Sequence, residues 1–335
     1  PEHLEKEEIA AQRIGASEFP LWSGRFSQMS ASHTESLIKA MLTDKPYPVR
    51  ALISMGQNLV NSCPNSKEVY EALKSLDLFV FFSQDMLNPT SSIADYVLPA
   101  ATWIERDELP ITTFVWWNRL MARKKAIDPV GEVRDESRVT LELYKKLVEK
   151  GLDPVESRTG DDFIKWETLE DFMDYCLKGL GLTWEELKQK GVIEFPMEYK
   201  LYEKGGFRTP TGKVELYSTI LEQVGQDPLP HHREPPESPL SCSKLAEDYP
   251  LILITARAKA GEFFHSSNRW ADWARKRHPD PIADIHPLTA TEKGIKDADW
   301  VSIETPRGTI KHRARVTEGI HPKVISMEHG WWFPE

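Results

Sequence analysis

Hydrophobic and polar positions follow three different rhythms along this chain, and each rhythm predicts a different kind of element. Between residues 46 and 98 short apolar runs are cut by polar loops. Residues 49–55 (VRALISM) read as a buried strand and Gly56-Gln57-Asn58 as a tight polar loop. Asn65-x-x-Glu68 is a capping-box pattern, opening a helix with Val69, Leu73 and Leu76 on one face. Residues 77–82 (DLFVFF) predict a second strand, 83–90 a polar loop, Ile93-Ala94 part of a short helix, and 96–98 a third strand. Short connections in this order point to a parallel, doubly wound sheet, whose ligands sit at the carboxyl ends of the strands. Those ends are GQN at 56–58, SQD at 83–85 and PAAT at 99–102.

From 131 to 190 the rhythm becomes helical. Leu143, Leu147 and Val148 share one face, Trp166, Leu169, Phe172 and Met173 another, and Thr183-x-x-Glu186 is a second capping box. These aromatics read as packing residues. Residues 205–218 read as a turn and a strand, and prolines at 228, 230, 235, 236 and 239 mark an extended linker. Ahead of all this lie a charged helical stretch at 2–13, a polar segment and a short helix at 37–41.

The third rhythm is strand-like. After a strand at 251–254, the stretch 284–306 (DIHPLTATEKGIKDADWVSIETP) predicts a short polar helix and then alternating strands. Val301, Ile303 and Ile310 carry the alternation, Pro306-Arg307-Gly308 is a hairpin signal, and Asp297-Ala298-Asp299 forms the entry turn. A further strand runs into a His-Gly-Trp-Trp loop at 329–332. The expectation is an antiparallel-rich barrel portion over 245–335, with its 255–266 loop facing the three strand ends.

At 335 residues there is room for two domains. A net charge of −10 without a basic run argues against nucleic-acid partners. No apolar run reaches membrane-span length. Cys63, Cys176 and Cys242 are scattered with no C-x-x-C pair, which excludes a zinc ribbon, a disulfide framework and a complete iron–sulfur ligand set within these residues. His231-His232 lacks a third ligand nearby, so no metal site is predicted. No G-x-G-x-x-G turn follows a strand, which argues against a nicotinamide dehydrogenase. Opening on Pro1 and ending on Glu335 after a strand-like segment, the chain is expected to be a piece of a longer protein, with any targeting leader outside it.

Five segments in order carry a resemblance. They are GQN at 56–58, IADYVLPAATWIERD at 93–107, FRTPTGKVELYS at 207–218, LITARAKAGEFFHS at 253–266, and DIHPLTATEKGIKDADWV at 284–301. Together they closely resemble the molybdopterin-guanine-dinucleotide oxidoreductases, the DMSO reductase family. Leu59, Ala256 and Ala298 stand where the family wording has a proline and two glycines. The ending EHGWWFPE, with the helical insert and its TWEEL, looks most like the thiosulfate/polysulfide reductase branch, which borders on acetylene hydratase-like proteins. A formate dehydrogenase-like member is a further alternative, and a non-catalytic nucleotide-binding module an alternative of another class.

The resemblance implies an α/β architecture. Residues 1–46 would be the remnant of a preceding domain, and 47–130 a Rossmann-like dinucleotide-binding domain. Residues 131–244 would be a helical insertion with its linker, and 245–335 part of a double-psi β-barrel. It implies bis(molybdopterin guanine dinucleotide) with molybdenum or tungsten, with the metal ligand and a [4Fe–4S] cluster in a part that lies N-terminal to this chain. It further implies a small-molecule substrate, an iron–sulfur electron-transfer subunit and, as an option, a membrane-anchor subunit. Cytoplasm and periplasm both stay open.

Cofactor contacts are then expected from Gly56, Gln57 and Asn58, where a glycine lets backbone approach a pyrophosphate. Ser83 and Thr90 flank Gln84 and Asp85, either of which can accept from guanine or ribose. The plainer reading for Asn88 and Thr90 is helix capping. Thr102 with Glu105 reads equally as a contact to the pterin or a partner domain and as a structural salt bridge or cap. Thr255 and Arg257 end a strand, and a guanidinium there can fork to phosphate. His265 and Ser266 follow, with Asn268 and Arg269 as second choices. His329 and Trp331 lie in the terminal loop, where aromatic rings either pack on a flat heterocycle or plug an interface.

Overall fold

The run DLFVFF becomes the middle strand of a parallel sheet. The computed structural model describes residues 7–24, 31–84, 88–110, 118–152, 166–256, 269 and 271–332. Helix α1 (Glu7–Ala11) lies inside the predicted charged stretch. Helix α2 (Thr34–Thr43) is longer than its apolar core because the His33 side chain accepts from Ser36 N and Asp44 ends it in the left-handed conformation.

Strands β1 (Ala51–Met55), β2 (Leu78–Ser83) and β3 (Tyr96–Pro99) pair in that order, all parallel. Phe79, Phe81 and Phe82 are 1%, 1% and 4% exposed, as the near-continuous apolar run of a central parallel strand requires. Between β1 and β2 come α3 (Leu59–Ser62) and α4 (Ser66–Lys74), whose buried residues are Val69, Ala72 and Leu73. The expected box at its start takes a different form. Asn65 sits at φ +58, and its amide donates to the Glu68 carboxylate at 2.6 Å.

The helical insertion is built on caps. Helix α5 (Glu136–Glu149) starts at Asp135, whose carboxylate accepts from Ser137 N. Its Leu143 and Val148 are exposed, so the predicted face is no core. Helices α6 (Leu169–Leu177) and α7 (Trp184–Lys190) each open on a complete capping box, Thr168/Asp171 and Thr183/Glu186. Leu169, Met173, Leu177, Trp184 and Leu187 form a core with Leu120. Leu120 belongs to β4 (Arg119–Met121), which pairs antiparallel with β5 (Val192–Glu194). Three-residue strands are too short for a period-2 signal, which is why this pair escapes sequence reading.

Residues 205–218 hold no strand, contrary to expectation. After α8 (Tyr202–Gly205), Phe207 N donates to Gly212 O at 2.8 Å and Thr209 Oγ1 to Lys213 O at 2.6 Å. A Cβ on Gly206, at φ +72, would lie 2.7 Å from Gly212 O, so only glycine closes this turn. The segment runs on into α9 (Thr219–Gln223), and the linker prolines lead to α10 (Ser243–Asp248).

The C-terminal region forms a mixed five-stranded sheet. Its strands are β6 (Ile252–Ala256), β7 (Ile282–Ile285), β8 (Trp300–Thr305), β9 (Gly308–Val316) and β10 (Val324–Glu328), in the order β6-β10-β7-β9-β8. The Pro306-Arg307 turn joins β8 and β9 antiparallel as predicted, with Thr305 opposite Gly308. The β6–β10 and β7–β9 pairings are parallel, so this sheet is less antiparallel than expected. Alternation reports which face is buried and carries no strand direction. Helix α11 (Asp272–Arg277) precedes β7, and α12 (Pro287–Lys293) follows it, capped by His286 and ended by Gly294. Ala283, Ile285, Ala290, Ala314 and Ile325 form the core. Ala298 takes φ +66, so the D-A-D turn adopts its left-handed residue without glycine.

By contacts the chain divides into two units. The first holds Pro1–Gly56, Ser75–Gln84 and Ala94–Leu229, the second Gln57–Lys74, Asp85–Ile93 and Pro230–Glu335.

Candidate functional site

In the first unit the parallel pairing brings three strand ends to one edge. Gly56 leaves β1 at φ +64, its N–H donating to Phe82 O at 3.2 Å. Among the described residues no atom lies within 4 Å of a Cβ built on Gly56, so the residue is needed there for its backbone angle. Ser83 is buried at the end of β2, and its carbonyl accepts from Ala100 N at 2.9 Å. Gln84 follows, with Nε2 donating to Ala101 O at 3.2 Å. With Nε2 so engaged, Oε1 is the acceptor that Gln84 offers at this edge. Asp85 lies outside the described residues.

Beyond β3, Thr102 and Glu105 close a turn. Glu105 accepts from Thr102 N and Thr102 Oγ1, each at 2.8 Å, and from Val130 N at 2.9 Å. This gives the cap reading its hydrogen bonds. The backbone N–H groups of Thr102 and then Val130, followed by the Thr102 hydroxyl, hold the Glu105 carboxyl below the usual glutamate range. A lowered folded-state pKa means the unfolded chain takes up the proton at higher pH. Glu105 therefore contributes stability above the ordinary range and loses it as pH falls through the depressed folded value. Glu105→Gln is expected to lower the melting temperature at neutral pH, with the gap to wild type closing on acidification. Thermal melts of both proteins across the acid range check this, and a gap that widens in acid would contradict it.

In the second unit a buried polar network fixes the segment that follows Gly56. Gln57 is exposed and Asn58 half-buried. Asn58 Oδ1 accepts from Thr90 Oγ1 at 2.8 Å, and Thr90 Oγ1 accepts from Val60 N at 2.9 Å. Asn88 Oδ1 accepts from both Thr90 N and Ser91 N at 2.9 Å. Thr90 is fully buried. Asn88 and Thr90 thus act as caps, and Thr90 sets the rotamer of Asn58 from behind. Asn58 Nδ2 is buried and has no hydrogen-bond partner among the described residues. A buried amide donor in that state is costly unless something accepts from it.

The same unit brings the terminal loop to this segment. Strand β6 runs parallel to β10, so Thr255 and His329 lie at one edge, where His329 N donates to Ala256 O at 3.1 Å. Asn61 Nδ2 donates to Gly330 O at 2.7 Å. The Trp331 ring lies under the Arg269 guanidinium at 3.9 Å and meets the His278 ring edge-on at 5.2 Å. Glu328, buried, accepts from His278 Nε2 at 2.7 Å and Ile282 N at 3.0 Å. Arg257, His265, Ser266 and Asn268 lie outside the described residues. Asn61, His278 and Glu328 escaped sequence reading because each is a lone polar residue joined to its partners only by tertiary folding. Asn61 alone left a trace, three positions after Asn58. Among the described residues no cluster of His, Cys, Asp or Glu suits a metal ion.

Comparison with known proteins covers both units. Residues 8–146 match the family model "Molybdopterin oxidoreductase", and residues 251–334 match "Molydopterin dinucleotide binding domain". Acetylene hydratase of Syntrophotalea acetylenica is 34% identical over 316 residues, which cover 92% of this chain and 41% of that protein. The thiosulfate reductase molybdopterin-containing subunit PhsA of Salmonella typhimurium is 27% identical, over 89% of this chain and 40% of its own length. The solved acetylene hydratase from Pelobacter acetylenicus superposes with a TM-score of 0.78 at 28% identity, covering 98% of this chain and 44% of that one. The chain spans about two fifths of the length of these relatives. With the motifs in family order, both models matched and the fold shared, the chain belongs to the molybdopterin-dinucleotide oxidoreductase family.

Proposed function

We propose that this chain is the dinucleotide-holding part of a molybdenum or tungsten bis-pterin enzyme. The reading rests chiefly on Asn58, whose amide oxygen is locked by Thr90 and whose buried Nδ2 lacks an acceptor among the described residues. Such a donor suits a phosphate or ribose oxygen. A Rossmann-like role for 47–130 and a double-psi barrel role for 245–335 belong to the same proposal. Gly56, Gln57 and Ser83 would line the first strand ends, and Thr255, His329 and Trp331 the terminal edge. Bound there, the cofactor would supply a metal able to exchange two electrons as an oxygen or sulfur atom is moved. The residues of this chain would bind and orient it, and electrons would reach it through the iron–sulfur cluster expected in the part N-terminal to this chain and an iron–sulfur electron-transfer subunit.

Within the family, the thiosulfate/polysulfide reductase-like reading has a rival in an acetylene hydratase-like one. The higher identity to acetylene hydratase, 34% against 27%, favours the rival. Full-length protein assayed for thiosulfate or polysulfide reduction with reduced viologen, and for acetylene hydration, separates the two. Guanylate released by acid hydrolysis, together with molybdenum and tungsten determined by mass spectrometry, tests the shared reading. Guanylate without either metal would leave a nucleotide-binding module in its place.

Gln84 Oε1 is the acceptor this reading assigns to the N1–H and N2–H₂ donors of guanine, in the role also open to Asp85. Gln84→Ala in full-length protein is expected to lower bound guanylate by about fivefold, the worth of one modest hydrogen bond. Unchanged guanylate would place base recognition elsewhere.

A further inference from the structure

Arg269 makes more contacts than a packing residue needs. It is 5% exposed, and its guanidinium reaches two separate stretches of backbone. Nη1 donates to His278 O at 2.8 Å, Nη2 to Pro279 O at 3.3 Å and Nε to Trp332 O at 3.3 Å. Its flat face covers the Trp331 ring at 3.9 Å. The same ring meets the edge of His278, which is itself tied to Glu328 at the end of β10. One side chain thus joins the turn before β7 to the loop after β10, and the same loop receives Asn61 Nδ2 at Gly330 O.

We propose that Arg269 is a positioning residue that latches the 329–332 loop against Asn61 and so presents the loop to the molybdopterin dinucleotide. The proposal rests on the cofactor reading above. A planar cation with five N–H donors can stack on an indole and serve three carbonyls at once. Lysine keeps the charge and loses both abilities. The carbonyls of His278, Pro279 and Trp332 would then share a single ammonium, and the indole would lose its flat partner. The latch therefore depends on the shape of arginine as well as on its charge.

The test uses full-length holoprotein and the variants Arg269→Lys, Arg269→Ala and Trp331→Phe. Amide hydrogen exchange followed by mass spectrometry reports the 329–332 loop, with peptides from β7 and β9 as internal reference for the fold. Arg269→Lys should speed exchange of the loop peptide by at least about tenfold while the reference peptides keep wild-type rates. Guanylate per subunit after gel filtration should fall in the same variant. Trp331→Phe, which keeps a ring face for Arg269, should lie between wild type and Arg269→Lys in both readouts. Wild-type exchange of the loop in both Arg269→Lys and Arg269→Ala would overturn the latch. Faster exchange with full guanylate would overturn its role toward the cofactor. Wild-type protein that carries no guanylate would instead defeat the cofactor reading and with it the purpose of the latch, whereas the exchange rates would still report whether Arg269 holds the loop.

Discussion

Phe81→Ala is expected to destabilise the parallel-sheet unit by about 3–5 kcal/mol, the usual cost of emptying a buried phenylalanine site. Phe81 is 1% exposed on the central strand and meets Phe79 edge to face, their centroids 6.2 Å apart at 77°. Removing its ring deletes the transfer contribution of a whole aromatic side chain and the aromatic pair together. The pleat offers little room to collapse, because Phe79 and Phe82 on the same strand are held in register by β1 and β3 on either side. Phe81→Leu fills most of the volume and should cost less than about 1.5 kcal/mol. Urea denaturation followed by circular dichroism gives both values. Equal, small losses for the two variants would mean that β2 is not the centre of this unit.

Legibility differed between the elements for physical reasons. The parallel sheet could be read because long apolar strands in short succession leave few topologies open. Thr183-Glu186 was legible because a capping box is written in four consecutive residues. Its neighbour at Thr168-Asp171 uses aspartate in place of the usual glutamate or glutamine, and so passed unread. The strand read into 205–218 shows the opposite error. Val214 and Leu216 alternate correctly yet stay 64% and 81% exposed, since alternation supplies a face and no partner to cover it. Leu143 and Val148 on α5 repeat that lesson for a helix.

The candidate site was legible as positions and opaque as roles. Gly56, Asn58, Gln84 and Thr102 were marked because strand ends are where such sheets bind ligands. What each side chain does depends on partners 15 or more residues away in most cases. Gln84 turns its nitrogen to Ala101, while Asn58 is locked by Thr90 and Gly330 is held by Asn61. None of those pairings leaves a pattern in the local sequence. Thr90 and Asn88, read as ligand contacts or caps, supply the hydrogen bonds of caps, and Thr90 also fixes a neighbouring amide. Attention moves to the residue they hold in place.

That residue is Asn58, and two substitutions probe its lock on Thr90 and the ligand contact proposed for it. Toward the protein, its Oδ1 is the acceptor for the buried Thr90 hydroxyl at 2.8 Å. Toward a ligand, its buried Nδ2 is a donor without a partner among the described residues. Asn58→Asp keeps an acceptor for Thr90 and replaces the amide donor by an anionic oxygen. It places that oxygen at a buried position with no hydrogen-bond partner among the described residues, so it should lower the urea midpoint at neutral pH as well as bind the pyrophosphate-bearing cofactor about ten- to hundredfold more weakly, or roughly 1.5–3 kcal/mol. Asn58→Leu removes both functions and strands the Thr90 hydroxyl. It should lose the cofactor to a similar extent and destabilise the second unit by a further ~1–3 kcal/mol. Guanylate per subunit and the urea midpoint, measured on the same preparations of full-length protein, form the comparison. Wild-type guanylate in Asn58→Asp would show that Nδ2 does not touch the cofactor. A wild-type midpoint in Asn58→Leu would show that the Thr90 lock contributes nothing to the fold. Guanylate lost in both variants, with Asn58→Asp still folded, is the pattern expected if the amide nitrogen faces the cofactor while the oxygen holds Thr90.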